Sequence, residues 1–150
     1  MGELKGERAV DIDAPIERCF EIAADIEHAP AWQGSLRVVR VLTRDGEGRA
    51  ERADTVNDAK VKTIRSTLRF SYDAPHTVSW VQEKGDTKAI RGGWRLSELD
   101  GGGTRATYWL AVDPGRVLGL LLRGPAESRV RDVLLGDAAA GLKRRAEGAG

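Results

Sequence analysis

The chain holds a single cysteine, Cys19, which rules out an internal disulfide framework and a multi-cysteine metal site. Cys19 falls within an apolar helical pattern and reads as a buried structural thiol. Histidine is almost as scarce. His28 and His76 lie in turn sequences, and neither has a second ligand three or four residues further on, so no metal centre is expected. No nucleophile elbow is present, and Cys19 has no histidine nearby in sequence, so nothing signals nucleophilic catalysis. An excess of one charge is missing too. Twenty-four Lys and Arg against 23 Asp and Glu leave a net +1, spread along the chain, which gives no electrostatic case for nucleic acid or an anionic membrane. The longest apolar run, Val117 to Leu122, is far too short to cross a bilayer. Met1 to Arg8 is polar and charged, unlike a signal peptide. These absences lead to the expectation of a soluble, cytoplasmic protein without a cofactor. Its length fits one domain over residues 1–150, with 147–150 as a disordered tail.

What is present is organised around the C-terminal stretch. Asp113-Pro114-Gly115 is a turn signal, and an apolar burst up to Leu122 is closed by Gly124-Pro125. From Ala126 the pattern is helical. Val130, Leu134, Ala138 and Leu142 recur every four residues, widened by Val133 and Gly141. The stripe turns small in its second half (Gly136, Ala138, Ala139, Ala140, Gly141). Something must therefore come close to the helix, either a sheet backbone or a ligand in a cavity that the helix roofs.

Upstream, Glu7 to Asp13 alternates as a short strand with Val10 and Ile12 inward. Asp13 as N-cap and Pro15 in the first turn start a helix carrying Ile16, Phe20, Ala23 and Ala24. Glu27 to Trp32 is a second short helix interrupted at Pro30. Leu36 to Thr43 is β-rich. Ala50 to Asn57 is polar on both faces and reads as an edge or a partly wet strand. Ile64, Ser66, Leu68, Phe70 and Tyr72 then alternate with polar residues, the pattern of a strand with one buried face. Val78 and Trp80 continue it, followed by Ile90, Gly92, Trp94 and Leu96, and then by Ala106, Tyr108, Leu110 and Val112. Gly92-Gly93 inside a strand reads as a bend. Short turns between sequential strands imply an antiparallel sheet. The predicted fold class is α+β: a curved six- to seven-stranded antiparallel sheet wrapped around a long C-terminal helix, with two short helices between strands 1 and 2.

Several segments, in order, resemble the START-like (SRPBCC, helix-grip) superfamily, and within it the polyketide cyclase/dehydrase and coenzyme Q-binding protein group. They are the strand-to-helix opening Val10-Asp11-Ile12-Asp13-Ala14-Pro15, the segment Asp25-Ile26-Glu27-His28-Ala29-Pro30-Ala31-Trp32, the last-strand entry Gly103-Thr104-Arg105-Ala106-Thr107-Tyr108, and Asp113-Pro114-Gly115. His28 and Ala29 stand where that group more usually has an aromatic. The resemblance covers nearly the whole chain and implies the helix-grip fold. The fold serves lipid carriers, ligand sensors, aromatase/cyclases and quinone-binding proteins, so it leaves function open.

Three functions compete. The first is binding or carriage of a hydrophobic small molecule (lipid, isoprenoid, quinone or polyketide) in a cavity between sheet and helix. Its candidate lining is Trp32, Ser66, Leu68, Phe70, Trp80, Gln82, Trp94, Tyr108, Leu118, Leu121, Val130 and Leu134. Val117 to Leu122, punctuated by Gly115, Gly119 and Gly124, would act as a lid beside the entrance. The second is a polyketide cyclase or aromatase, for which Tyr108, Asp54 and Arg40 are the only acid/base candidates. The third is a protein-interaction module using the outer sheet face. No nucleic-acid partner is expected, and the sequence is silent on oligomeric state.

Overall fold

The structure, a computed structural model, describes residues 3–60, 62–121 and 124–148; of Val117 and Leu121 only the backbone is described. The elements in chain order are β1 (Leu4–Ile12), α1 (Ile16–Ala24), a 3-10 helix (Ile26–Ala31), β2 (Leu36–Arg44), β3 (Ala50–Asp58), β4 (Thr63–Asp73), β5 (Thr77–Gly85), β6 (Ala89–Glu98), β7 (Thr104–Asp113), α2 (Gly115–Leu121) and α3 (Pro125–Glu147). The seven strands form one antiparallel sheet in the order β1-β7-β6-β5-β4-β3-β2. β1 and β2 are therefore opposite edges. The two helical segments between them carry the chain from one edge to the other, and the hairpins then return it to β1. This is the α+β helix-grip architecture that the sequence implies, with seven strands.

Alternation places the faces as expected. Leu68, Phe70, Val78, Trp94, Leu96, Ala106, Tyr108 and Leu110 are buried, while Arg65, Arg69, Arg91 and Arg95 are exposed. α1 buries Ile16, Cys19, Phe20, Ala23 and Ala24, one apolar stripe at helical spacing. Full burial of a side chain such as Phe20 contributes about 1.5–3 kcal/mol.

Four local expectations are corrected. Asp13 does not cap α1, which starts at Ile16 with no side-chain cap. Thr104 Oγ1 donates to the Ala14 carbonyl at 2.7 Å, and the Asp13 N–H donates to Glu147 Oε2 at 2.8 Å, so residues 13–14 are fixed by distant partners instead. Glu147 accordingly closes α3 and does not begin a tail; residues 149–150 lie outside the described residues. β3 is not an edge strand but lies between β2 and β4. Its polar outer face is spent on neighbours: Arg52 pairs with Glu83 at 2.7 Å and Asp54 with Arg40 at 2.8 Å. Finally, Gly92-Gly93 marks close packing. A Cβ on Gly92 would sit 2.8 Å from Trp80 Nε1 across the β5–β6 pair, and one on Gly93 2.5 Å from the Val78 carbonyl oxygen. The glycines make room for the neighbouring strand and its indole.

On α3 the buried residues are Val130, Leu135, Ala138, Ala139, Gly141, Leu142 and Ala146. Leu135 is 2 % exposed, whereas Leu134 is half-buried. The strict four-residue spacing in the sequence drifts around a helix of 3.6 residues per turn. The face centred on Leu135, Leu142 and Ala146 packs into the main core. Val130 and Leu134 fall roughly 100–140° further round, on a flank that looks elsewhere.

Candidate functional site

That flank looks into a cavity between sheet, 3-10 helix, α2 and α3. Its volume is about 120 Å³ of space open to the centre of a water molecule, where one water needs only about 10–15 Å³. The floor comes from the inward positions of the sheet: Thr55 and Asn57 of β3, Ile64, Ser66, Leu68 and Phe70 of β4, Trp80 of β5, Ile90 and Trp94 of β6, and Tyr108, Leu110 and Val112 of β7. Trp32, Gln33 and Leu36 close one side, and Leu118, Val130 and Leu134 the other.

Five rings form a continuous chain through the inner end. Trp32 meets Trp94 at 6.2 Å between centroids, Trp94 meets Tyr108 at 4.8 Å, Tyr108 meets Trp80 at 5.7 Å, and Trp80 meets Phe70 at 6.0 Å. All are tilted, the arrangement ring quadrupoles favour, and each pair adds about 0.5–1.5 kcal/mol beyond its buried area. The inner end is thus an aromatic wall.

Polar handles are few. Ser66 is 5 % exposed and its hydroxyl has no hydrogen-bond partner. Tyr108 is buried, and burial pushes its phenol up to about 12, opposed in part by a side-chain hydrogen bond with Gln33. At neutral pH it is a hydrogen-bond donor and not a base. Because the folded state holds this proton above the ordinary tyrosine value of 10.0, stability is fully present below that value and is lost as pH rises towards about 12. Burial also raises Tyr72, which acts in the same direction at higher pH. Tyr108→Phe should flatten the alkaline stability loss, as read by denaturant titration at a series of pH values. An unchanged alkaline slope would remove Tyr108 as its source.

Of the twelve sequence-predicted lining residues, Trp32, Ser66, Leu68, Phe70, Trp80, Trp94, Tyr108, Leu118, Val130 and Leu134 border the cavity. Gln82 does not. It lies opposite Leu68, and its amide is spent on the β5–β6 turn through Thr87: its Nε2 donates to the Thr87 carbonyl at 2.9 Å and Thr87 Oγ1 donates to its Oε1 at 3.1 Å. The Leu121 side chain and Leu122 lie outside the described residues. Asp54 and Arg40 are removed from the cavity altogether. They pair with each other on the outer face, Thr67 Oγ1 donates to Asp54 at 2.7 Å, and the hydrogen bonds from Arg40 and Thr67 hold the Asp54 carboxyl below its usual range. Of the three acid/base candidates only Tyr108 faces the cavity. Sequence reasoning missed Gln33, Thr55, Asn57 and Lys62. For Thr55 and Asn57 the signal was period-two alternation continued through β3 from Ala53, masked by the polarity of its other face.

Residues 117–121 of the segment expected to act as a lid fall in α2. Leu118 is buried against the cavity while Leu120 is 56 % exposed, so this turn carries apolar residues on both sides. No helix among the described residues is long and apolar enough to cross a membrane.

In shape the chain is similar to several solved structures. A START superfamily protein from Mycobacterium smegmatis superposes with a TM-score of 0.82 at 19% identity, covering 97% of this chain and 98% of that one. A protein from Thermus thermophilus gives 0.78 at 25% identity, covering 96% of each. The Zhui aromatase/cyclase from a Streptomyces species gives 0.72 at 18% identity, covering 97% of each. No curated protein matches by sequence. The family model described as polyketide cyclase / dehydrase and lipid transport matches residues 3–147, and the chain belongs to that family.

Proposed function

We propose that the protein binds and carries a hydrophobic small molecule, of the lipid, isoprenoid, quinone or polyketide kind, in the cavity between sheet and α3. One observation carries this reading. The described lining is apolar and aromatic with a few hydroxyl and amide groups and one ammonium, that of Lys62, and includes no carboxylate and no histidine. Such a site offers area and orientation, and its described lining brings no carboxylate or imidazole to act as a general base. Fluorescence titration with fatty acids, quinones and aromatic polyketides tests it, with Trp32, Trp80 and Trp94 as reporters inside the cavity. Saturable quenching is expected, and Leu118→Asp should abolish it with circular dichroism unchanged, because the carboxylate would be placed against the apolar lining. Absence of saturable binding across the panel would defeat the reading.

A polyketide cyclase reading is supported by the family description together with Tyr108. A neutral phenol held among rings can donate to an enolisable carbonyl of a bent poly-β-keto chain. Under this reading Tyr108→Phe retains binding of an aromatic polyketide but loses any turnover of its linear precursor. Equal turnover by the variant would dismiss the phenol as the acting group.

A further inference from the structure

The polar groups of the cavity are not scattered. Along β4 the inward positions run from Phe70 and Leu68 at the aromatic end, through Ser66, to Ile64, with Lys62 just before the strand. Thr55 is opposite Ser66, and Asn57 is opposite Ile64. Some of these groups are already engaged: Thr55 Oγ1 donates to the Ser66 carbonyl at 3.4 Å, and the Thr87 hydroxyl is used by Gln82. Three donors are left over. The Ser66 hydroxyl is buried without a partner. The Asn57 amide and the Lys62 ammonium make no hydrogen bond or ion pair with another described residue. Lys62 is the one charged side chain in the described lining, and no carboxylate there opposes it.

A buried hydroxyl with no partner is costly unless something supplies one. A ligand oxygen supplies it. An oxygen that accepts from a hydroxyl, an amide and an ammonium on one wall is best an anionic one, because hydrogen bonds to charged groups are roughly twice as strong as neutral ones. We propose that this wall is a headgroup site. The ligand is an amphiphile whose anionic group, carboxylate or phosphate, is held by Lys62, Asn57 and Ser66, with its apolar body directed at the aromatic end. This rests on the cavity-binding reading above and adds to it the polarity and direction of the ligand.

Two matched dyes test it. Anilinonaphthalene sulfonate and N-phenyl-1-naphthylamine share a ring system and differ in the sulfonate. Wild-type protein should prefer the anionic dye, and added salt should weaken that preference because Lys62 is exposed. Lys62→Met, which keeps the apolar stem and removes the charge, should cut the preference about tenfold, and Ser66→Ala about fivefold. Both variants should keep native circular dichroism, and Lys62→Arg should restore most of the preference. Displacement of the anionic dye by oleic acid or by lysophosphatidic acid, but not by oleyl alcohol, then separates a carboxylate from a phosphate head. Equal affinity for the two dyes, or a preference untouched by Lys62→Met and Ser66→Ala, overturns the headgroup site while leaving the apolar cavity standing. Failure of the wild type to bind the neutral dye overturns both.

Discussion

Leu135→Ala should destabilise the fold by about 2–5 kcal/mol, the range for truncating a fully packed aliphatic side chain. Leu134→Ala, one residue earlier, should cost clearly less. The contrast follows from where the two side chains end. Leu135 is 2 % exposed and sits in the main core with Ala138, Leu142 and Ala146. It also packs on β1: a Cβ on Gly6 would meet its Cδ1 at 2.9 Å, so the strand has no side chain of its own with which to refill the hole. Leu134 is half-buried and borders the cavity, where part of its surface already lacks protein neighbours. Truncating it removes fewer contacts and enlarges a space that exists. Equilibrium denaturation of the two variants gives the answer. Equal losses would mean that α3 presents one continuous core face and that the cavity wall is as well packed as the core. Ligand titration should reverse the order, with Leu134→Ala changing affinity more than Leu135→Ala.

This pair also shows how far the sequence could be read. Alternation in β4, β6 and β7 was enough to assign their faces, because a period of two has no phase error over ten residues. Phe70, Trp94 and Tyr108 therefore stood where the pattern put them. The same pattern on α3 was ambiguous. Val130, Leu134, Ala138 and Leu142 form an attractive row, yet a row at every fourth residue winds off any single face. Half of it belongs to the core and half to the cavity, and only the packing of β1 decides which. The polar candidates divided on similar grounds. Ser66 followed from strand parity. Gln82 had the same parity and does pair with Leu68, but its amide is held by Thr87 in the β5–β6 turn, a contact that no composition signals. Arg40 and Asp54 stood among the inward polar candidates, but they pair with each other, and Asp54 with Thr67, away from the cavity. Lys62 carried no signal at all, since a lysine in a loop is ordinarily solvent-facing.

Gly141→Ala should be destabilising by about 1–3 kcal/mol, although alanine is the better helix former by about 0.8–1.0 kcal/mol. The reason is the neighbour. A Cβ at this position would lie 2.1 Å from the Trp32 carbonyl oxygen and 3.1 Å from its carbonyl carbon. Both are backbone atoms at the end of the 3-10 helix, so no rotamer change relieves the overlap. Gly141 thus makes way for this segment. Gly136→Ala is the control. Its Cβ would meet only the Arg8 Nη1 atom, at 3.3 Å, the far end of a flexible side chain, so the helix-propensity gain should win and the variant should be as stable as wild type or more so. The opposite signs separate close packing from a general intolerance of α3 to substitution. The Gly141 variant also reaches the site. Moving the Trp32 backbone moves an indole that packs on Trp94 at 6.2 Å and lines the cavity. Its tryptophan emission should therefore shift, and its affinity for an apolar ligand should change, while the Gly136 variant keeps the wild-type spectrum and affinity. A Gly141→Ala protein with wild-type stability, emission and binding would show that Trp32 does not bear on the helix at this point.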